Sequence, residues 1–381
     1  MGQGASDEVV LITGFPGLQA RKLCEHILAV EPETRVRLVV LRKLAAQAER
    51  ALGTLPPPWR QRVAVLEGDA AAMDLGLSGG EFRQLAGEVD RIHHVAHVSF
   101  LGVEEDTAAY ANVQGAVEVV ELARATAHLR CLVHHSTAQV SGDRKGMVLE
   151  SELDRGQGFH NAIERTRLRA EQVMRRAMAD VPIVVVRPTI LVGDSGTGEA
   201  DRFDGPYLLV LLILGLPGDV AVPLPEVGDS PLNIVPVDFV AKAAHHIGRR
   251  PDAPGTTVHL ATDEPLTARH VVGEIARAGG RRTVRSFVPP RLARALLRAP
   301  GVERLVRSPR AFIEQLSLPV RYDTRAARAL LAGSGIECPP FASYVDNLVT
   351  AAEQHLRQRR LDGLLTLDEA GPVFEEEDMM T

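Results

Sequence analysis

An α/β fold is predicted, a doubly wound parallel sheet followed by a smaller C-terminal α/β region, and three observations predict it. Short β-branched runs alternate with amphipathic stretches of helical length through the first half of the chain. A glycine-rich turn joins the first of these runs directly to the first helical stretch. After Arg187 the alternation ends, and glycine and proline become frequent.

The predicted strands are Val9–Thr13, Arg35–Leu41, Val63–Leu66, Arg91–Val95, Cys131–His135 and Val181–Val186. Between them, Leu18–Val30, Lys43–Leu52, Gly80–Gly87, Ala109–Ala127 and Asn161–Ala179 repeat apolar residues at helical spacing, as helices with one buried face do. Residues 205–232 then mix an apolar run, Tyr207–Leu216, with Pro217, Pro223, Pro225 and Pro231. That run is closed by Gly215 and Pro217, well short of the ~20 residues of a membrane span, so it reads as a core or ligand-facing helix. Residues 265–278, 290–315 and Ala342–Arg360 are expected to be helical.

The expected organisation is a domain over residues 1–187 with returning segments near 233–262, then a region over 188–360 interleaved with the last strands. The tail over 361–381 carries Glu375, Glu376, Glu377 and Asp378 and has too little apolar content to pack, so disorder is expected there. With 45% hydrophobic and 24% charged residues, the 381-residue chain can bury one large core or two unequal domains sharing an interface. A net charge of -6 gives no general attraction to nucleic acid or anionic lipid, so neither is an expected partner. Cys24, Cys131 and Cys338 lie far apart without a CxxC pair, which argues against a disulfide framework or a metal site and for a reducing cytoplasm.

Immediately after the first strand comes Thr13-Gly14-Phe15-Pro16-Gly17-Leu18-Gln19-Ala20, opening into a helix. Glycine lets the backbone turn sharply and approach a pyrophosphate, while the free N–H groups at the helix start favour the anion. Gly14 and Gly17 fill the first two places of a Gly-x-x-Gly-x-x-Gly loop, and Ala20 stands at the third, where small size is needed. The competing reading is a glycine-rich turn with no ligand; the strand-turn-helix context favours a Rossmann-type nucleotide site. At the end of the second strand, where NAD binders usually carry an acid, this chain has Arg42 and Lys43. Two cations suit a 2′-phosphate, so NADP(H) is preferred and NAD(H) is the alternative, unless the pair simply begins a solvated helix.

These features, with seven segments in order, make the chain resemble an extended short-chain dehydrogenase/reductase of the thioester reductase and fatty acyl-CoA reductase (male sterility-like) branch. The segments are Gly14 to Ala20; Gly68-Asp69 with Leu75 to Ser78; His94 to Phe100; Asn112 to Gly115; Ser136-Thr137-Ala138; Arg187 to Asp194; and Asn233 to Val240. The resemblance covers roughly residues 7 to 350. It implies that Thr13 to Leu18 hold the dinucleotide, that Asp69 lies near the adenine, Val95 and Ala96 along the cofactor, and Pro188, Thr189 and Ile190 beside the nicotinamide. It also implies that Asn233 to Val240 border the substrate region.

In that family a Ser or Thr orients the carbonyl, a Tyr moves the proton, and a Lys four residues later lowers the Tyr pKa and holds the ribose. Thr137 matches the first role, with Ser136 as the alternative. The helix that should carry the other two places Ile163 at the Tyr position and Arg167 at the Lys position. Isoleucine has no proton to give, and arginine's planar fork reaches differently from an ammonium. None of Tyr110, Tyr207, Tyr322 and Tyr344 has Lys four residues later, so the motif has not simply moved. His160, one turn before Ile163, is a candidate surrogate acid, against the plainer reading of a surface or loop histidine.

Two functions are therefore expected to compete. The first is a nucleotide-binding relative with weak or no hydride transfer and a regulatory or binding role, with a protein partner in view. The second is an active NADPH-dependent reductase of an acyl thioester or aldehyde with a non-standard proton donor.

Overall fold

A computed structural model describes residues 8–98, 100, 102–203, 207–215, 222–224, 231–285 and 319–365. Seven parallel strands form its central sheet: β1 (Val9–Thr13), β2 (Arg35–Val40), β3 (Val63–Glu67), β4 (Arg91–His94), β5 (Cys131–His135), β6 (Ile183–Pro188) and β7 (Thr257–Leu260). They lie in the order β7-β6-β5-β4-β1-β2-β3, so the order reverses beside β1. In an open α/β sheet, ligands bind in the crevice outside the strand ends at that reversal.

Period-two burial on both faces explains why the strands read as continuous apolar runs. On one face Leu11, Ile92, Leu132 and Ile183 pack against Leu85 of α3 (Gly79–Glu88), Val119 of α4 (Gly115–Ala125) and Met174 of α5 (Ala162–Ala177). On the other, Val10, Ile12 and Val36 meet Leu23 and Ile27 of α1 (Leu18–Val30) and Ala48 of α2 (Ala45–Gly53). Val133, Val184 and Val186 on that side meet Phe239 and Val240 of α7 (Val237–Arg249). The sheet is thus doubly wound, with α6 (Tyr207–Gly215), α8 (Ala268–Ala278) and α9 (Val345–Leu365) forming a separate apolar cluster beyond it.

Several expected elements differ in bounds or continuity. The strand expected at Val181–Val186 runs from Ile183 to Pro188, because the Val181 N–H closes the end of α5 on Ala177 O at 2.8 Å. The single helix expected over Ala109–Ala127 is interrupted by a π-turn at Tyr110–Gln114, with a short helix Glu105–Ala109 before it and α4 after it. The extra residue in that turn carries Asn112 inward, where it is 2% exposed. The last helix, expected to end at Arg360, continues to Leu365, into what reads as tail. The helix expected at 290–315, and residues 366–381 of the expected tail, lie outside the described residues.

Candidate functional site

The glycine loop sits at the sheet reversal, between β1 and α1. Gly14 has φ +86°, and a Cβ there would stand 2.7 Å from the Ala96 nitrogen, so glycine is required twice over. Ala20 is fully buried under the loop, as the third small position demands. Thr13 secures the facing wall: the Val95 and Ala96 N–H groups both donate to its Oγ1, at 3.2 and 3.1 Å. With those acceptor positions used, the hydroxyl donates to His94 Nδ1 at 3.0 Å. His94 is thereby fixed as the neutral Nε2–H tautomer, and burial together with the Arg167 charge pushes its pKa down to about 3.

Arg42 and Lys43 follow β2 on the same rim. The Arg42 side chain is 93% exposed, and its ion pair with Glu67 is stretched to 4.0 Å. Asp69, across the rim, accepts from the Ala71 N–H at 2.9 Å and from the Tyr110 hydroxyl at 3.1 Å. Pro188, Thr189 and Ile190 lead out of β6 on the other side of the loop, with the Ile190 N–H donating to Asn233 O at 2.9 Å.

The expected catalytic residues separate into those near a cavity and those committed elsewhere. Thr137 caps a short turn, its Oγ1 accepting from the Gln139 N–H at 3.2 Å. Ser136, its proposed alternative, is buried and donates to Glu171 Oε2 at 2.8 Å, so its hydroxyl is engaged behind the helix. Ile163 is 7% exposed and packs with Val98, Phe100, Val103 and Ala108, making the tyrosine position part of an apolar cluster. Arg167 is buried and donates to His135 O at 2.5 Å; burial pushes its pKa down to about 10. His160 is joined to Glu164 Oε2 through both its backbone N–H, at 2.9 Å, and its Nδ1, at 3.0 Å. Its ring therefore belongs to the start of α5.

Helix α5 is held against the sheet by a buried ion pair. Arg187 donates to Glu171 through Nε at 2.9 Å and NH2 at 2.6 Å, and Arg175 adds a bond at 2.9 Å. Burial raises the Glu171 pKa, but the Arg187 charge and the donated hydrogen bonds outweigh it, leaving the carboxyl below its ordinary value. Glu171→Ala would leave the Arg187 charge buried and short of its partner. We expect a loss of about 3–5 kcal/mol in urea unfolding of the full chain, and a loss under about 1 kcal/mol would remove this pair as the anchor of α5.

Two groups beyond the expected set also meet here. Asn112 Oδ1 accepts from the Val98 N–H at 2.9 Å, and its Nδ2 donates to Thr166 Oγ1 at 2.9 Å, tying the loop after β4 to the helix of Ile163. Tyr322 places its hydroxyl 3.2 Å from Ser141 Oγ. Tyr322 and Ser141 line a cavity with Glu164, Thr189, Ile190 and Asn233. Through Ile190 and Leu232 this cavity adjoins a second, walled by Tyr207, Val210, Val271, Ile275 and Leu348. Polar groups thus face one compartment and apolar side chains the next.

Residues 12–244 match the family described as male sterility protein. The chain is 24% identical to fatty acyl-CoA reductase wat of Drosophila melanogaster over 278 residues, covering 62% of this chain and 53% of that protein. It is 23% identical to fatty acyl-CoA reductase 1 of Arabidopsis thaliana over 310 residues, 63% of each. It therefore spans about half to two thirds of these relatives' own length. Among solved structures, the terminal R domain from the myxalamid PKS-NRPS biosynthetic pathway shares the fold at a TM-score of 0.78 and 22% identity, covering 92% of both chains. The reductase domain of a nonribosomal peptide synthetase from Mycobacterium tuberculosis does so at 0.70 and 20%, again covering 92% of both chains.

Proposed function

The chain belongs to the male sterility protein family, a nicotinamide dinucleotide-binding, reductase-type family, and from that premise we propose that it binds NADP(H) and an acyl thioester while transferring hydride weakly or not at all. On this reading it works by binding, responding to its ligands or presenting the ligand-bound fold to a protein partner. The observation that carries the reading is Ile163, packed into an apolar cluster at the tyrosine position. Thr137 can orient a carbonyl, but the alkoxide left by hydride transfer needs an acid, and isoleucine has none. Arg167 keeps a cation at the lysine position, held on His135 O.

The nucleotide assignment is supported by the Gly14 turn, the open rim and the cations after β2. When bound, the dinucleotide supplies the hydride; the chain's own residues position it. The acyl thioester is supported by a cavity with polar lining beside an apolar one, and by the fatty acyl-CoA reductases to which the chain is similar. Cys24 and Cys131 are buried and unpaired, which supports a reducing, cytoplasmic setting. Among the described residues no helix is long and apolar enough to cross a membrane.

The test is a calorimetric titration with NADPH, followed by NADPH oxidation assays with acyl-CoA, carrier-bound thioester and aldehyde. Saturable binding without turnover is expected; oxidation at about 1 s⁻¹ or faster would overturn the reading. Cofactor choice is tested separately. Replacing Arg42 and Lys43 together by Ala removes charge-assisted contacts to a 2′-phosphate and is expected to weaken NADPH about 10- to 100-fold while leaving NADH within about twofold. Equal loss for both nucleotides would withdraw the NADP(H) preference.

Tyr322 favours the second reading, an active reductase of an acyl thioester or aldehyde. Its hydroxyl faces the polar cavity from a strand, Val320–Tyr322, that pairs with Gly146–Val148. Burial, first, raises its pKa. That keeps it protonated as a donor but slows proton release. Turnover lost in Tyr322→Phe and kept in His160→Ala would select this reading over one that depends on His160.

A further inference from the structure

The part of the glycine loop that a dinucleotide needs open is occupied by the chain itself. The Leu18 N–H, at the start of α1, donates to Asp201 Oδ2. Arg21 donates to Asp201 Oδ1 at 2.8 Å and to Glu199 Oε1 at 2.5 Å, while its Nε donates to Pro16 O at 2.9 Å. Lys22 Nζ lies 2.8 Å from Glu199 Oε2. A carboxylate on a helix-start N–H, backed by a guanidinium, makes the contacts a pyrophosphate oxygen would make there.

The segment carrying these acids has a fixed root and a tip that crosses the site. At the root, Asp194 Oδ1 accepts from the Gly196 and Thr197 N–H groups, and Ser195 donates to Asp238 of α7 through both its N–H and its hydroxyl. Asn347 of α9 donates to Ser195 O at 2.8 Å. At the tip, the Arg202 guanidinium stands 5.5 Å over the Phe100 ring, and Phe100 packs in the same cluster as Ile163. Residues 199–202 therefore reach from the glycine loop to the helix at the expected nicotinamide end.

We propose that residues 199–202 are a self-blocking strap, in which Asp201 holds the pyrophosphate position until a dinucleotide displaces it. The proposal rests on the NADP(H)-binding reading above. One anion replaces another on Leu18 N–H and Arg21, so the bound state keeps the donors satisfied and lifts the tip. A protein that works by binding then has two ligand-dependent states: strap down and strap displaced.

If the strap is closed in roughly nine molecules of ten, its removal tightens apparent nucleotide affinity about tenfold. The experiment is calorimetric titration of the full chain with NADPH, for the unmodified protein, Asp201→Ala and Asp201→Asn. The asparagine variant keeps the side-chain shape and loses the charge. Tighter binding by both variants, about tenfold for alanine, is the expected result. Unchanged or weaker binding by both, with the unmodified chain binding normally, overturns the strap and leaves the nucleotide reading standing. Absence of NADPH binding in all three proteins overturns both.

Discussion

Protein carrying Ile163→Tyr and Arg167→Lys together is expected to oxidise NADPH in the presence of an acyl-CoA or aldehyde about 10²- to 10⁴-fold faster than the unmodified chain, the usual contribution of a general acid. The side chains around this helix are already held in place. Thr137 precedes the residues lining the polar cavity, Asn112 ties the loop after β4 to α5, and Glu171 with Arg187 fixes that helix against the sheet. Lysine alone would restore a compact ammonium but no proton donor, and tyrosine alone would have beside it the Arg167 guanidinium, engaged on His135 O, in place of the lysine ammonium that lowers its pKa. The gain is therefore expected from the pair and not from either substitution.

Size is the obstacle to this experiment. Ile163 is packed against Phe100 and Val98, and a larger ring in a filled cluster costs about 1–3 kcal/mol. Ile163→Phe with Arg167→Lys provides the control, since it imposes the same strain without the hydroxyl. Turnover in the Tyr protein and none in the Phe protein assigns the gain to proton transfer. If the Tyr protein folds, binds NADPH and still turns nothing over, the missing acid–base pair is not the reason for inactivity. The explanation then shifts to the strap or to the substrate cavities.

Local signals carried most of what the sequence revealed. β1 appears where the β-branched run Val9–Thr13 stands, because burial along its whole length leaves no polar alternation to confuse its ends. Gly14, Gly17 and Ala20 lie within one turn of chain, so their geometry follows from their spacing. Departures came where a distant partner decided the outcome. Ser136 looked available because Glu171 and Arg187, which engage or flank it, lie 35 and more residues away. The helix at 109–127 looked continuous because nothing in its spacing tells that Asn112 finds Val98 and Thr166. Tyr322 and Asp201 reach the site from 181 and 183 residues beyond their partners, across segments where proline and glycine erase any periodic signal.

Acid is expected to unfold this protein at a pH most α/β proteins tolerate, because its sheet buries uncharged histidines. Burial, aided by the nearby Arg167 or Arg187 charge and at His135 also by His94, takes His94, His135 and His259 from 6.5 down to about 3. Gln19 donates to His135 Nδ1 at 2.9 Å, so the His135 Nε2–H donates to His93 Nδ1 at 3.2 Å, and that chain works only with neutral rings. The sign follows from proton uptake. Above the unfolded value of 6.5 neither state binds protons at these sites; below it the unfolded chain does and the folded chain does not, so stability falls until the folded value near 3 is reached. At pH 5 each of the three costs roughly 2 kcal/mol, or about 6 kcal/mol together, against a total stability of about 5–15 kcal/mol. The Glu31 carboxyl, held near 2, loses its contribution only below its ordinary 4.5 and so lies outside this window. A urea midpoint roughly 2 M lower at pH 5 than at pH 7.5 is therefore expected. His259→Asn should flatten the slope by about 1.4 kcal/mol per pH unit, the share of one buried imidazole. A midpoint that stays constant over this range would mean that these rings take up protons in the folded state, and that the neutral chain from Gln19 to His93 does not hold.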